Sequence, residues 1–248
     1  PRGGQNTVSN LRRKLEWVKR ESKVIIAVSE NTKKDIVKIL DIPSEKIKVI
    51  YEAGDEVFGK KSTLRGIENA KKKYGISGNY ILAVGTLEPR KNLKRLIMAF
   101  SKVRRNSSLS LVIAGNAGWG GELEGLQGKI LGVRFLGYVP KEDLAPLYAG
   151  AQCFVYPSLY EGFGLPILEA MASGCPVVTS NISSLPEVAG EMAVLVDPEN
   201  IRDITEGIKE AITKREEFIK KGFERAKEFS WEKTARQTLE VYQNLLSL

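Results

Sequence analysis

The sequence contains no histidine, and among its 248 residues only two are cysteine, three methionine and three tryptophan. The missing histidine removes the commonest general base and the commonest metal ligand. Cys153 and Cys175 lie on apolar segments without a Cys-x2-Cys spacing. That excludes a zinc knuckle and a disulfide framework, and leaves two small buried thiols suited to a reducing compartment. No metal site is expected. No apolar run approaches the roughly 20 residues that cross a bilayer, and no signal-like stretch stands at the start of the sequence. Nucleic-acid recognition motifs are absent too. The 38 lysines and arginines are spread along the chain, so the net charge of +8 favours anionic ligands or surfaces without pointing to DNA or RNA.

What is present suits a soluble globular protein of one large or two small domains, 42% hydrophobic and 27% charged. Residues 80–198 alternate apolar runs with helical patterns joined by short connections, which predicts a doubly wound parallel α/β sheet. Its strands are expected at 80–86, 110–116, 133–139, 153–157, 176–180 and 193–197. Asn92 is expected to cap a helix running to about Arg105. Further helices are expected near 122–131 and 141–150, with a glycine-rich loop at Gly118 to Gly121 ahead of the first. From Asn200 the pattern is helical, ending in a helix from Trp231 to Leu246. Before the sheet, a basic helix near 7–22 leads to an apolar run at 24–29. A helix capped by Ser29 or Asn31 and a second run at 46–51 follow.

The most informative stretch is YEGFGLPILEAMASGCPVVTS, Tyr160 to Ser180. It is a glycine loop followed by a short helix with proline in its first turn, set between two apolar runs. Two carboxylates, Glu161 in the loop and Glu169 in the opening turn of the helix, have seven residues between them. A glycine loop at a helix N-terminus presents unpaired amides to phosphate, and two carboxylates can accept from sugar hydroxyls. The same glutamates would also serve as a solvated turn residue and a partner of the helix dipole. Upstream, the loop GTLEPRKN, residues 85–92, follows a strand and offers Arg90 and Lys91 where ligands of open α/β sheets bind, or simply as solubilising charges.

The segment EGFGLPILEAMASGCPVV resembles the donor-binding motif of retaining GT-B glycosyltransferases of family 4, the Glu-x7-Glu group. GTLEPRKN is similar to mannosyltransferases of polysaccharide assembly. The resemblance implies a six-stranded Rossmann-like C-terminal domain at 67–230 and a linker at 52–66. It makes 1–51 the tail of an N-terminal acceptor domain, with the helix at 231–248 packing back toward that domain. Only this tail is present, so the rest is either cut away or supplied by another chain. The substrate implied is a nucleotide sugar, GDP-mannose or a UDP-hexose, with a glycan or lipid-linked acceptor and no cofactor or metal.

By the same resemblance, Lys91 and Arg90 would meet the diphosphate, with Thr86 standing where relatives often carry arginine. Glu161 would meet the donor sugar, and Glu169 the ribose. Gly162, Gly164 and Leu165 would approach the phosphates or sugar, with Phe163 beneath the loop. Tyr138, Val139 and Leu144 would border the base, and Gly85, Gly115 and Asn116 the crevice. Core packing is the competing role for Leu144. The implied location is cytoplasmic, at the inner membrane face if Arg12, Arg13, Lys14, Lys19, Arg20 and Lys23 touch anionic lipid; simple solvation is the other role for these residues. Two alternatives stay open: a nucleotide-sugar-binding module without activity, and an epimerase on a similar fold.

Overall fold

The protein is described from a computed structural model that covers residues 3–105, 108–118 and 130–247, with side chains from Ser9 onward. Its contacts divide it into two compact units, Ala53–Ser230 and a smaller one made of residues up to Glu52 together with Trp231–Leu248.

The large unit holds strands β3 (Tyr80–Val84), β4 (Ser110–Ala114), β5 (Val133–Gly137), β6 (Phe154–Tyr156), β7 (Val177–Ser180) and β8 (Val194–Val196). They form one parallel sheet in the order β5-β4-β3-β6-β7-β8. Strands buried on both faces need apolar residues at every position, and β3 and β4 supply such runs. Their side chains alternate. Ile81, Ala83, Leu111 and Ile113 face a core completed by helices α5 (Leu93–Arg104) and α9 (Ile201–Thr213), through Leu96, Phe100, Ile204 and Ile208. Each of the isoleucine, leucine and phenylalanine side chains among them contributes about 1.5–3 kcal/mol by leaving water. Toward the other face Tyr80, fully buried, donates to the Leu147 carbonyl of helix α6 (Lys141–Gly150) at 2.7 Å.

Helix α7 (Leu165–Ala172) connects β6 to β7, with Pro166 in its first turn and Gly174 beyond its end, and the short α8 (Leu185–Ala189) connects β7 to β8. Glu169 thus falls one turn deeper in α7 than its expected place in the opening turn. Asn200 caps α9 by accepting from the Arg202 and Asp203 amides. Helix α10 (Arg215–Lys227) follows. Ahead of the sheet, α3 (Glu56–Gly59) buries Phe58 and α4 (Leu64–Lys73) is capped by Thr63, both within the stretch where a linker and the domain's first residues are expected. The helix expected near 122–131 and most of the loop from Gly118 to Gly121 lie outside the described residues. Ile130 and Leu131 form a bend and a turn.

In the small unit, β1 (Ile25–Ala27) and β2 (Ile47–Val49) pair in parallel, Ile25 opposite Ile47. Helix α2 (Glu30–Leu40) joins them, and the Ser29 hydroxyl caps it by accepting from the Thr32 amide at 3.0 Å. Ala27, Ile42 and Ile47 are its buried centre. Helices α1 (Gly3–Glu21) and α11 (Trp231–Leu246) complete this unit, and Thr234 of α11 donates to the Tyr51 carbonyl at 2.6 Å. Among the described residues no helix is long and apolar enough to cross a membrane.

Candidate functional site

Strand order decides where chemistry can gather. The chain builds β3, β4 and β5 outward in one direction, then returns to place β6 on the other side of β3, with Leu82 opposite Phe154. Connections leaving β3 and β6 therefore diverge and open a crevice beyond their carboxyl ends. Loop 85–92 leaves β3 there, and loop 157–164 leaves β6.

Backbone and side-chain hydrogen bonds stitch these loops together. The Leu159 amide donates to the Arg90 carbonyl at 2.8 Å. Asn92 lies in the left-handed region at φ 58° and makes no cap hydrogen bond with α5. Its amide instead donates to the carbonyls of Pro157 at 3.0 Å and Pro198 at 2.7 Å. The expected capping role is thus replaced by a tether to the loops after β6 and β8. Two buried carbonyls that water cannot reach outweigh one exposed helix end.

The tether brings Arg90, Lys91 and Glu161 into one cluster. Lys91 Nζ lies 2.7 Å from Glu161 Oε1, and Arg90 Nη1 lies 2.6 Å from Glu161 Oε2. Arg90 also reaches Glu88 at 2.8 Å. Lys91 and Glu161 are each only 8% exposed. Burial alone would raise the Glu161 pKa, but the Lys91 charge and its hydrogen bond outweigh burial and hold the carboxyl below the ordinary range. Burial pushes the Lys91 ammonium below its ordinary value, and Glu161 restores only part of the loss. Arg90 is raised: the carboxylates of Glu161 and Glu88 outweigh its desolvation.

Tyr156, not anticipated from the sequence, completes the cluster. Its hydroxyl donates to Glu161 Oε1 at 2.8 Å and accepts from Lys91 Nζ at 2.5 Å, and the lysine also sits 4.7 Å from the ring centre. Ser183 and Ser184 were missed as well. Ser183 Oγ accepts from the Glu161 amide at 3.0 Å, and Ser184 Oγ donates to the Phe163 carbonyl at 2.7 Å. The paired serines after an apolar run were the only local sign of this clamp.

Glu169 stands apart from the cluster. Its carboxylate accepts from Tyr148 of α6 at 3.2 Å, and burial lifts its pKa from 4.5 to about 7 against the lowering effect of that bond. Gly164, at φ 122°, precedes α7, and a Cβ there would touch Leu185 at 3.0 Å, so a residue with a side chain is strained at this turn. Leu165 opens the helix, Gly162 is exposed, and Phe163 is buried edge-on against Phe229 at 5.9 Å.

The other expected residues line up along neighbouring strand ends. The Gly115 amide donates to Gly137, and a Cβ on Gly115 would stand 2.0 Å from the Gly85 carbonyl oxygen, so only glycine fits. Thr86 and Asn116 are exposed on these loops, and the Asn116 carbonyl accepts from the Leu87 amide at 2.9 Å. Tyr138 is 70% exposed, whereas Val139 and Leu144 are buried. A cleft of about 400 Å³ beside the cluster is lined by Leu87, Glu88, Asn92, Arg95, Met98 and Leu159, but by neither Lys91 nor Glu161. Among the described residues, no group of three or more acidic or cysteine side chains is arranged to hold a metal ion.

Chemically, the crevice offers two cations and a carboxylate fixed by three donors, while apart from it Glu169 is a buried carboxylate whose pKa is lifted to about 7. Comparison with known proteins identifies the family. The family described as glycosyl transferases group 1 matches residues 66–229. The O-antigen chain mannosyltransferase B of Escherichia coli is 36% identical over 239 residues, covering 90% of this chain and 61% of that protein. The O-antigen chain mannosyltransferase RfbU of Salmonella typhimurium is 34% identical over 201 residues, covering 79% of this chain and 52% of that one. The chain thus spans between half and two thirds of these relatives. A glycosyltransferase crystal structure from Rickettsia africae superposes with a TM-score of 0.83 at 20% identity, over 94% of this chain and 66% of that one. Anabaena Alr3699/HepE in complex with UDP-glucose superposes at 0.80 with 22% identity, over 97% and 68% of the two chains. These two likenesses establish the fold, that of GT-B glycosyltransferases.

Proposed function

The chain belongs to the glycosyl transferases group 1 family, and from that premise we propose that it is the donor-binding part of a mannosyltransferase that uses a nucleotide diphosphate sugar. The observation that carries this reading is the convergence of Arg90, Lys91 and Glu161 where the strand order reverses. Mannose is favoured by the names of the Escherichia coli and Salmonella relatives, which makes GDP-mannose the first donor to test and a UDP-hexose the second.

Lys91 and Arg90 turn from Glu161 toward the diphosphate and stabilise the charge it gains as the glycosidic bond breaks. Glu161 then accepts from the sugar hydroxyls and supports the developing positive charge at the anomeric carbon. Gly164 and Leu165 direct amides at the phosphates or sugar, Glu169 accepts from the ribose, and Tyr138 with Val139 borders the base. The bond from the anomeric carbon to the diphosphate oxygen breaks, and the acceptor oxygen bonds to that carbon on the same face. The acceptor proton passes to the departing phosphate. Configuration is retained, and neither metal nor cofactor is required.

The acceptor is a glycan or lipid-linked glycan, met on the cytoplasmic face where nucleotide sugars are made. For this chain alone, which spans 61% of the Escherichia coli relative, we expect donor binding with little transfer. Calorimetric titration with GDP, UDP, ADP and the matching hexose donors, without added metal, tests the reading. Saturable binding of one diphosphate supports it, and no binding of any of them rejects it for this chain.

A further inference from the structure

Four buried rings form a column through the large unit: Phe58, Tyr148, Phe154 and Tyr156. Phe58 meets Tyr148 edge-on at 5.8 Å, Tyr148 meets Phe154 edge-on at 5.2 Å, and Phe154 stacks on Tyr156 at 5.6 Å. Two of these rings carry hydroxyls. Burying a hydroxyl costs about 1–3 kcal/mol unless it finds a partner, and packing alone would be served equally well by phenylalanine. Each hydroxyl does find a partner, and in each case it is a glutamate of the Glu-x7-Glu pair. Tyr156 donates to Glu161 at 2.8 Å, and Tyr148 donates to Glu169 at 3.2 Å.

We infer that Tyr148 and Tyr156 are positioning residues for the nucleotide sugar, Tyr156 holding Glu161 together with Lys91 and Tyr148 holding Glu169. The inference rests on the donor-site reading above. A glutamate side chain loses up to about 2 kcal/mol of rotamer freedom when fixed. A buried tyrosine held against neighbouring rings, Tyr148 between two and Tyr156 on one, fixes the carboxylate before the ligand arrives, so the ligand does not bear that cost. Tyr80 supplies the contrast. It is equally buried, but its hydroxyl goes to a backbone carbonyl of α6 and to no glutamate.

The electrostatics run the same way. The groups that act on Glu169 are Tyr148, which lowers its pKa, and Asp55, which raises it and is itself paired with Lys141 at 2.6 Å. Removing the Tyr148 hydroxyl leaves burial and Asp55 unopposed, so the Glu169 carboxylate forms at higher pH.

The test compares Tyr148→Phe, Tyr156→Phe and Tyr80→Phe in the whole chain. GDP, UDP and the matching hexose nucleotides are titrated between pH 6 and 9. Tyr148→Phe is expected to weaken binding at pH 7 by about five- to tenfold, the scale of one ordinary net hydrogen bond, and to move the affinity midpoint to higher pH. In Tyr156→Phe, the nucleotide sugar should lose more affinity than the bare diphosphate. Tyr80→Phe should leave both within about twofold. Carboxyl carbon shifts of labelled glutamate follow the Glu169 midpoint without ligand and give a second reading of Tyr148→Phe. Folded Tyr148→Phe and Tyr156→Phe variants that bind as Tyr80→Phe does, with an unmoved Glu169 midpoint, would overturn the inference. A parent chain that binds no nucleotide would remove the donor-site reading and the inference together.

Discussion

Glu169→Gln should make the large unit more stable at alkaline pH, by an amount that shrinks as pH falls and vanishes below about 4.5. Burial holds the folded-state pKa at about 7, above the ordinary 4.5. Below pH 4.5 the carboxyl is protonated whether the chain is folded or not, and its environment costs nothing. As pH rises from about 4.5 to about 7, the unfolded chain has released its proton while the folded chain still holds it, and the folded state loses stability until both are ionised. At about 1.4 kcal/mol per pH unit the loss is at most about 3.5 kcal/mol. Solvent that reaches this part-buried side chain trims it to about 2 kcal/mol. Glutamine keeps the shape and an acceptor for Tyr148 but carries no charge. The variant should therefore gain about 2 kcal/mol over the parent at pH 8, or about 4–8 °C in Tm for a unit of this size. Melts followed by circular dichroism at pH 5, 6, 7 and 8 give the difference directly. A difference between parent and variant that does not change with pH would refute the burial argument. The same variant should bind nucleotide more weakly at pH 8, where the parent offers a carboxylate to the ribose.

Lys91→Ala should weaken nucleoside diphosphate binding by about 1.5–3 kcal/mol, the scale of a charged hydrogen bond, as read by calorimetry. Because burial lowers the Lys91 pKa, diphosphate affinity in the parent should begin to fall at a lower alkaline pH than an ordinary lysine would dictate, and a flat profile to pH 10 would refute this. Asn92→Asp removes both donors to the Pro157 and Pro198 carbonyls. It should cost at least about 2 kcal/mol in urea denaturation, one net hydrogen bond at each carbonyl. Gly115→Ala must displace the Gly85 carbonyl, 2.0 Å from the new Cβ; low yield or a Tm several degrees down is expected, and an unchanged melt would refute the close approach.

The six strands were legible because parallel strands buried on both faces leave uninterrupted apolar runs, such as Tyr80 to Val84. Helix ends marked by local chemistry were legible too: Ser29 caps where expected, the helix at Asn200 begins where expected, and Pro166 and Gly174 bracket α7. Helix α4 was not, because it is polar with only Ala70 buried and shows no broad apolar stripe. Asn92 shows the limit most clearly. Its side chain could cap a helix, but its partners lie 65 and 106 residues along the chain, and nothing near Asn92 announces them. Tyr148 and Tyr156 were hidden for a related reason. An aromatic in an apolar segment looks like core, which both are, and the hydroxyl that distinguishes them acts on a residue from another element. Arg90, Lys91 and Glu161 could be placed near one crevice because strand order alone sends their loops there.

Glu88, Arg90, Glu161 and Lys91 form a chain of ion pairs with two negative and two positive groups. Such an arrangement has no net charge, and the field of opposed pairs fades with distance faster than that of a lone ion. At physiological salt little of it would survive beyond about 8 Å. Under the proposed function, an arriving diphosphate would therefore be drawn by this chain's net charge of +8, not by the cluster that would hold it. On the proposed reading, the cluster would become attractive only at contact, where phosphate oxygens would exchange places with Glu161 as partners of the two cations. Encounter and capture are thus governed by different charges, and ionic strength acts mainly on the first.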